Sequence, residues 1–188
     1  MSATQSASPV PELSLPLGTW KVDPVHSNVE FQVRHLGIAT VKGRFNDFEG
    51  TLEVGPEGAR AYGSARVASV DTGEPQRDEH LRSADFFDAE NHPEISFEST
   101  SISQLDEDSF AVEGELTIRG ATRPVRLETV LEGTETDHQG NRRVGLSAST
   151  RINRSDYGMR FNMALGSGNV VVGEKVKIQL DISAVEAG

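Results

Sequence analysis

Hydrophobic and polar residues alternate one by one in many segments of this chain, a period of two that is typical of β-strands with one buried and one solvated face. The alternating segments begin near Val29, Phe48, Ile95, Phe110, Val125, Val144 and Val176. Glycine-rich or aspartate-rich turns separate them. The pattern predicts about eight antiparallel strands in a sheet that folds on itself, and a sandwich and a barrel satisfy it equally.

One segment near the middle of the chain breaks the alternation. Asp71 and Thr72 are suitable N-caps, and a proline in the first turn favours a short helix from about Pro75 to Ser83. Phe86 and Phe87 follow in a second turn, and two adjacent residues there cannot face the same way. We therefore expect at least one of these rings to reach the interior of the sheet or to cover its mouth.

Composition narrows the function classes. The 188 residues carry a net charge of −11, which argues against nucleic acid and against docking on anionic lipid by charge. Without cysteine the chain has no disulfide, thiol nucleophile or thiolate metal site. No stretch is long and apolar enough to span a bilayer. Residues 1–17 are rich in Ser, Ala and Pro and lack the features of a signal peptide, so we expect a disordered tail before a domain at 18–188, and a cytoplasmic location.

The candidate catalytic and metal-binding residues are weakly patterned. The five histidines are scattered singly, without the close spacing of metal ligands. Ser27 beside His26, with Asp23 nearby, suggests a hydrolase, but adjacent residues rarely form a nucleophile and its base. No Gly-x-Ser-x-Gly motif is present. We therefore expect a protein that is not an enzyme and that holds no metal or cofactor.

The positions that are predicted to face the interior give the most information about function. Several of them are aromatic or sulfur-containing residues, namely Phe31, Phe45, Phe48, Phe97, Phe110, Phe161, Met159 and Met163. Such residues fit a filled core, and they also fit a barrel that encloses a long apolar ligand. Gly50, Gly114 and Ala148 are small residues at inward positions and favour space inside.

Six stretches follow one another in order from about Gly18 to Ile182: GTWKVDPVHSNVEFQVRHLG, VKGRFNDFEGTLEV, RDEHLRSADFFDAENHPEISFES, GELTIRGATRPVRL, RSDYGM and VGEKVKIQLDI. Together they resemble the YceI-like, polyisoprenoid-binding family. The resemblance implies an all-β, lipocalin-like antiparallel β-barrel of about eight strands with a short helical segment near its mouth. It also implies a tunnel for an isoprenoid lipid, such as an isoprenoid quinone or a polyprenyl phosphate. Tyr157 stands where relatives commonly have another aromatic residue.

These expectations assign residues to a ligand site. The predicted lining and closing residues are Phe31, Val33, Phe45, Phe48, Leu52, Leu81, Phe86, Phe87, Ile95, Phe97, Ile152, Met159 and Phe161. The candidates for holding a polar headgroup are Arg34, Arg151 and Arg154, although pairing with the many acids is the simpler role for such arginines.

The predicted function is non-catalytic binding, transport or storage of an isoprenoid lipid. The resemblance also implies a homodimer, and we expect no stable membrane insertion. Three alternatives remain: a stress-related interaction module with a filled core, a binder of fatty acid or amide, and an enzyme that acts on a lipid through His26, His80 and nearby acids.

Overall fold

The computed structural model describes residues 13–167 and 170–187. Its strands are β1 (Gly18–Val22), β2 (Asn28–His35), β3 (Ala39–Phe45), β4 (Phe48–Gly55), β5 (Gly58–Arg66), β6 (Val70–Asp71), β7 (Glu94–Gln104), β8 (Ser109–Ile118), β9 (Ala121–Thr136), β10 (Arg142–Asn153) and β11 (Val172–Glu186). A single α-helix, α1 (Pro75–Arg82), lies between β6 and β7 in this part of the chain. Short 3₁₀ turns follow β1, β5 and β10.

The strands form one closed antiparallel barrel. Eight strands hydrogen-bond in the circular order β1, β4, β5, β7, β8, β9, β10, β11, and β11 pairs again with β1. Strand β2 continues from β1 along the same edge of β11, while β3 pairs with β2 and β6 pairs with β3. The structure therefore decides between the sandwich and the barrel, and it confirms the predicted fold.

The helix is confirmed, but its predicted cap is wrong. Glu74 is the N-cap, and its carboxylate accepts a hydrogen bond from the backbone N–H of Arg77 at 2.9 Å. Thr72 instead donates from its backbone N–H and its hydroxyl to Asp78, which is buried. Because a carboxylate at the N-cap satisfies free N–H groups of the first turn, Glu74 takes the role expected of the earlier residues.

The two ends of the barrel differ. At the end where β1 meets β11, Trp20 is fully buried and packs with Leu15, Phe110 and Val144. The predicted tail at 1–17 lies outside the described residues as far as residue 12. Among residues 13–17, Leu15 is buried in this cluster, whereas Leu17 is exposed. At the opposite end, α1 and the turns after it pack on the barrel, and this end is called the mouth below.

Candidate functional site: the cavity inside the barrel

An elongated apolar cavity of about 310 Å³ occupies the barrel. It reaches from Leu15 and Trp20 at the closed end to Leu81 and Phe86 at the mouth. Its lining on β8 runs from Phe110 to Ile118, nine residues that extend about 26 Å along the strand. With strands tilted by about 40°, this corresponds to roughly 20 Å along the barrel axis.

The structure brings most of the predicted ligand residues together on this cavity. Twelve of the thirteen line it, namely Phe31, Val33, Phe45, Phe48, Leu52, Leu81, Phe86, Phe87, Ile95, Phe97, Ile152 and Met159. Phe161 does not line it and instead packs its ring against those of His80 and Phe86. That these residues contact a ligand stays a prediction.

Aromatic rings concentrate at the mouth. Phe31, Phe45 and Phe87 form a triangle with centroids 5.6–6.3 Å apart, in tilted or edge-to-face arrangements. The ring of Phe31 lies over Gly43, its partner on β3, so closely that a Cβ atom at Gly43 would come within 2.3 Å of it. Glycine is therefore needed at this position, because any side chain would push the ring further into the cavity.

The small inward residues have different roles. Gly50 and Ala148 line the cavity, as expected of positions that leave space. Gly114 leaves none, because a Cβ atom there would lie 2.6 Å from the ring of Phe97. Met163, which the sequence placed in the interior, is 60% exposed, so that prediction is wrong. It belongs to the loop after Phe161 rather than to an alternating strand.

Arg154 is the buried cation of the site and borders the cavity. Its guanidinium donates to four backbone carbonyls: that of Gly173 from Nε, those of Met159 and Phe161 from Nη1, and that of Val172 from Nη2. Burial lowers its pKa, while nearby Glu174 acts in the opposite direction. Arg154 thus ties the chain after β10 to the start of β11 and shapes one side of the mouth.

The other two arginines predicted to hold a headgroup lie outside the cavity. Arg34 is exposed and donates to the Gly37 carbonyl and the Thr40 hydroxyl within the β2–β3 hairpin. Arg151 is exposed on the outer face of β10, next to the inward Ile152. The three arginines therefore do not converge on one site, and their role in headgroup binding stays a prediction.

Two hydroxyl-bearing residues of the inner wall were not predicted as site residues. Thr129 is buried, and its hydroxyl donates to the Leu127 carbonyl at 3.3 Å, while Thr150 lies two residues from Ala148 on the inward side of β10. The alternating register had already placed both on the inward face. They were missed because only large apolar side chains and arginines were selected as site residues.

The histidines are dispersed in the structure. His26 lies 2.8 Å from a carboxylate oxygen of Asp23 near the closed end, whereas His80 lies 2.8 Å from Asp85 at the mouth. The convergence that the lipid-enzyme alternative requires is therefore not present. Within residues 13–167 and 170–187, no group of three or more histidine, aspartate or glutamate side chains is arranged to hold a metal ion.

No helix in the described part of the chain has the length and apolar character needed to cross a membrane.

Comparison with known proteins adds a family and a fold. The model of the YceI-like domain matches residues 20–184. Protein YceI of Escherichia coli is 36% identical over 148 residues, which cover 77% of each chain. The crystal structure of BcnA from Burkholderia cenocepacia has a TM-score of 0.73 at 21% identity and covers 86% of this chain and 98% of its own. A polyisoprenoid-binding domain from Saccharophagus degradans, implicated in plant cell wall breakdown, has a TM-score of 0.70 at 14% identity, over 92% of this chain and all of its own.

Proposed function

The chain belongs to the YceI-like family, and we propose that its barrel binds one isoprenoid lipid in the interior cavity as a non-catalytic carrier. The observation that carries this proposal is the cavity itself, which is continuous from Trp20 to Phe86 and almost wholly apolar in its walls. A fold neighbour described as polyisoprenoid-binding supports the choice of ligand class. The interaction-module alternative, which needs a filled core, is not favoured by this interior.

The shape of the cavity favours one extended chain. A volume of about 310 Å³ is distributed over roughly 20 Å of the barrel axis. Such an elongated space suits a single hydrocarbon chain better than a compact ligand of the same volume. The volume is also at the low end of the range for small-molecule pockets.

The walls supply the binding energy without a catalytic group. Each CH₂ group transferred from water into an apolar site contributes about 0.8 kcal/mol. Several isoprenoid units therefore exceed the cost of immobilising the ligand. The polar groups on the inner wall are few, and Arg154 already uses four of its N–H groups on carbonyls. We assign the affinity to the tail, with the headgroup contributing less.

The ligand enters from the mouth in this proposal. Trp20, Val144 and Ala184 are almost completely buried at the closed end, where the residues that precede β1 cover the barrel. At the mouth, Leu81 is only partly buried, and exposed residues of α1 and its following turns surround Phe86. The headgroup, whether quinone or phosphate, would therefore remain near α1.

The test blocks the cavity at its middle. Ala148 faces inward and Ser149 faces outward on the same strand, so Ala148→Phe and Ser149→Phe add the same ring to opposite faces. Trp20 is the only tryptophan and lines the cavity, so its fluorescence reports ligand entry. Titration with a long-chain ubiquinone is expected to quench Trp20, with at least tenfold weaker binding in Ala148→Phe and unchanged binding in Ser149→Phe.

Three further titrations complete the design. A polyprenyl phosphate and a fatty acid show which tail class is preferred, and the ubiquinone ring without its tail should not bind. Equal binding by the two phenylalanine variants, each folded by circular dichroism, would contradict the proposal. So would failure of the unmodified protein to bind any of the long-chain lipids.

A further inference from the structure

The outer face of the barrel near the mouth carries a row of cations. Across four neighbouring strands, Arg151 on β10 lies opposite Lys177 on β11, Lys177 opposite Gln32 on β2, and Gln32 opposite Lys42 on β3. Neighbouring strands are about 4.8 Å apart, so the row spans roughly 14 Å. Lys175 and Arg34 lie two residues nearer to the mouth on the same face.

These five cations have no ion-pair partner within 4 Å among the described residues. Arg34, Lys42, Arg151, Lys175 and Lys177 are called the basic patch below. They include three of the four lysines of the protein. The net charge of −11 therefore conceals a local surface of opposite sign, and it is the local charge that a nearby surface experiences.

An apolar edge adjoins the basic patch. Ile38, at the tip of the β2–β3 hairpin, is 77% exposed, and Met163 and Val170 in the loop before β11 are 60% and 40% exposed. One backbone hydrogen bond joins the hairpin to the loop, from Leu36 N–H to the Val171 carbonyl, and a second one within the loop runs from Val171 N–H to the Met163 carbonyl. Ile38, Met163 and Val170 are called the apolar rim below.

The apolar rim is connected to the entrance of the cavity. Phe161 precedes Met163 by two residues, and its ring lies 5.4 Å from that of Phe86, which lines the cavity. Residues 31–46 and 157–173, which contain the hairpin and the loop, have no aspartate or glutamate, although the chain has 29; the acids that flank them are Glu30, Asp47, Asp156 and Glu174. Exposed apolar side chains beside uncompensated cations are the features that hold a protein at an anionic membrane surface.

We propose that the mouth of the barrel docks on a lipid bilayer that contains anionic headgroups. The apolar rim enters the interface and the basic patch contacts the headgroups, so that the cavity opens toward the lipid. A second copy of the chain fits this surface poorly, because a twofold interface would place the basic patch of one subunit near that of the other. Docking goes beyond the proposed carrier function and does not require a loaded cavity.

The test measures co-sedimentation of the purified full chain with vesicles. One set contains phosphatidylcholine alone, and the other contains phosphatidylcholine and phosphatidylglycerol in equal parts. Binding is expected to the second set only and to weaken as salt is raised, because salt screens the charges. Each Lys or Arg near an anionic surface corresponds to about a fivefold change in affinity, so reversing one charge should weaken binding at least fivefold.

Two matched pairs of variants separate the surface from the rest of the molecule. Lys42→Glu should weaken vesicle binding at least fivefold. Ile38→Ser should also weaken it, because the apolar side chain that enters the interface is lost. Their controls at the closed end are Val25→Ser, at a residue 85% exposed, and Lys21→Glu, which makes the same charge change. The controls should bind vesicles as the unmodified protein does.

Ubiquinone titration monitored by Trp20 fluorescence keeps the two proposals distinguishable. All four variants should bind ubiquinone normally in solution, because none of the substituted residues lines the cavity. Absence of binding to phosphatidylglycerol vesicles, or equal binding by each variant and its control, would overturn the docking proposal while leaving the carrier proposal to its own test. A dimer that Ile38→Ser dissociates, without vesicle binding, would also overturn it.

Discussion

Replacing Arg154 tests whether this residue is part of the framework or a binding group. Its guanidinium connects the carbonyls of Met159 and Phe161 to those of Val172 and Gly173. The residue is only 3% exposed. Arg154→Met keeps an unbranched side chain of similar length but removes all four donors. The carbonyls of Met159, Phe161 and Gly173 then lose this donor at the edge of the mouth, whereas that of Val172 keeps a hydrogen bond from the Asn162 side chain at 2.8 Å.

The expected cost follows from these contacts. Hydrogen bonds from a charged donor each contribute about 1.5–3 kcal/mol, but the desolvation of the buried guanidinium offsets much of their sum. Removing one side of a buried charged network typically costs about 3–5 kcal/mol, and we expect a loss of that size in the free energy of unfolding. For a chain of this length it corresponds to a decrease in Tm of roughly 6–20 °C.

The assay is thermal and urea unfolding of three variants followed by circular dichroism. Arg154→Lys keeps the charge with a smaller set of donors and should lie between the unmodified protein and Arg154→Met. Arg151→Met is the matched control, since Arg151 is exposed on β10 three residues before Arg154, and it should change stability by less than about 0.5 kcal/mol. A change below about 1 kcal/mol in Arg154→Met would refute the structural role and favour headgroup binding.

Three further predictions concern stability. Tyr157→Phe should raise the free energy of unfolding by about 1–2 kcal/mol, because the buried hydroxyl has no hydrogen-bond partner among the described residues; unchanged or lower stability in urea unfolding would contradict this. Gly43→Ala should destabilise by about 1–3 kcal/mol and weaken ubiquinone binding, because its methyl group displaces the ring of Phe31; normal stability and binding would show that the ring yields freely. Arg143 bridges Asp23 and Asp137, whose pKa values are lowered to about 2: for Asp23 by His26 first and Arg143 next, and for Asp137 by Arg143. A lowered pKa means stability that is present above the unfolded value of 3.8 and lost as the pH falls through about 2. The Tm difference between the unmodified protein and Arg143→Gln should therefore shrink between about pH 4 and pH 2, and a constant difference would contradict the assignment.

Alternation was sufficient to predict the strands that bury large side chains. The inward residues of β8 and β10, such as Phe110 and Ile152, line the cavity as their period of two indicates. Strand β5 lacks this signal, because its inward positions include Ala61, Gly63 and Ala65. A Cβ atom at Gly63 would come within 2.6 Å of the Glu49 carbonyl oxygen, so small residues there permit close approach of β4 and β5. A strand whose inward residues are glycine and alanine shows no alternation of large hydrophobic and polar residues, so the sequence pattern does not predict it.

The wall of the cavity was more predictable than its polar contacts. An inward position follows from register alone, whereas the partners of a long polar side chain depend on which segments meet in three dimensions. Arg154 illustrates this, because its acceptors come from the loop after β10 and from β11. The helix cap was also hard to predict, because Asp71, Thr72 and Glu74 all carry side chains that can accept hydrogen bonds from the first helical turn. The backbone conformation decides that Glu74 is the N-cap.

The most direct measurement of the central claim is native mass spectrometry of the purified protein, followed by organic extraction and identification of any bound molecule. The account predicts an added mass that matches about one isoprenoid lipid per chain, or uptake of one when ubiquinone or polyprenyl phosphate is supplied, and its loss in Ala148→Phe. A protein that is empty and takes up neither lipid would contradict the account. A bound fatty acid in place of an isoprenoid would keep the cavity as the binding site but refute the proposed ligand.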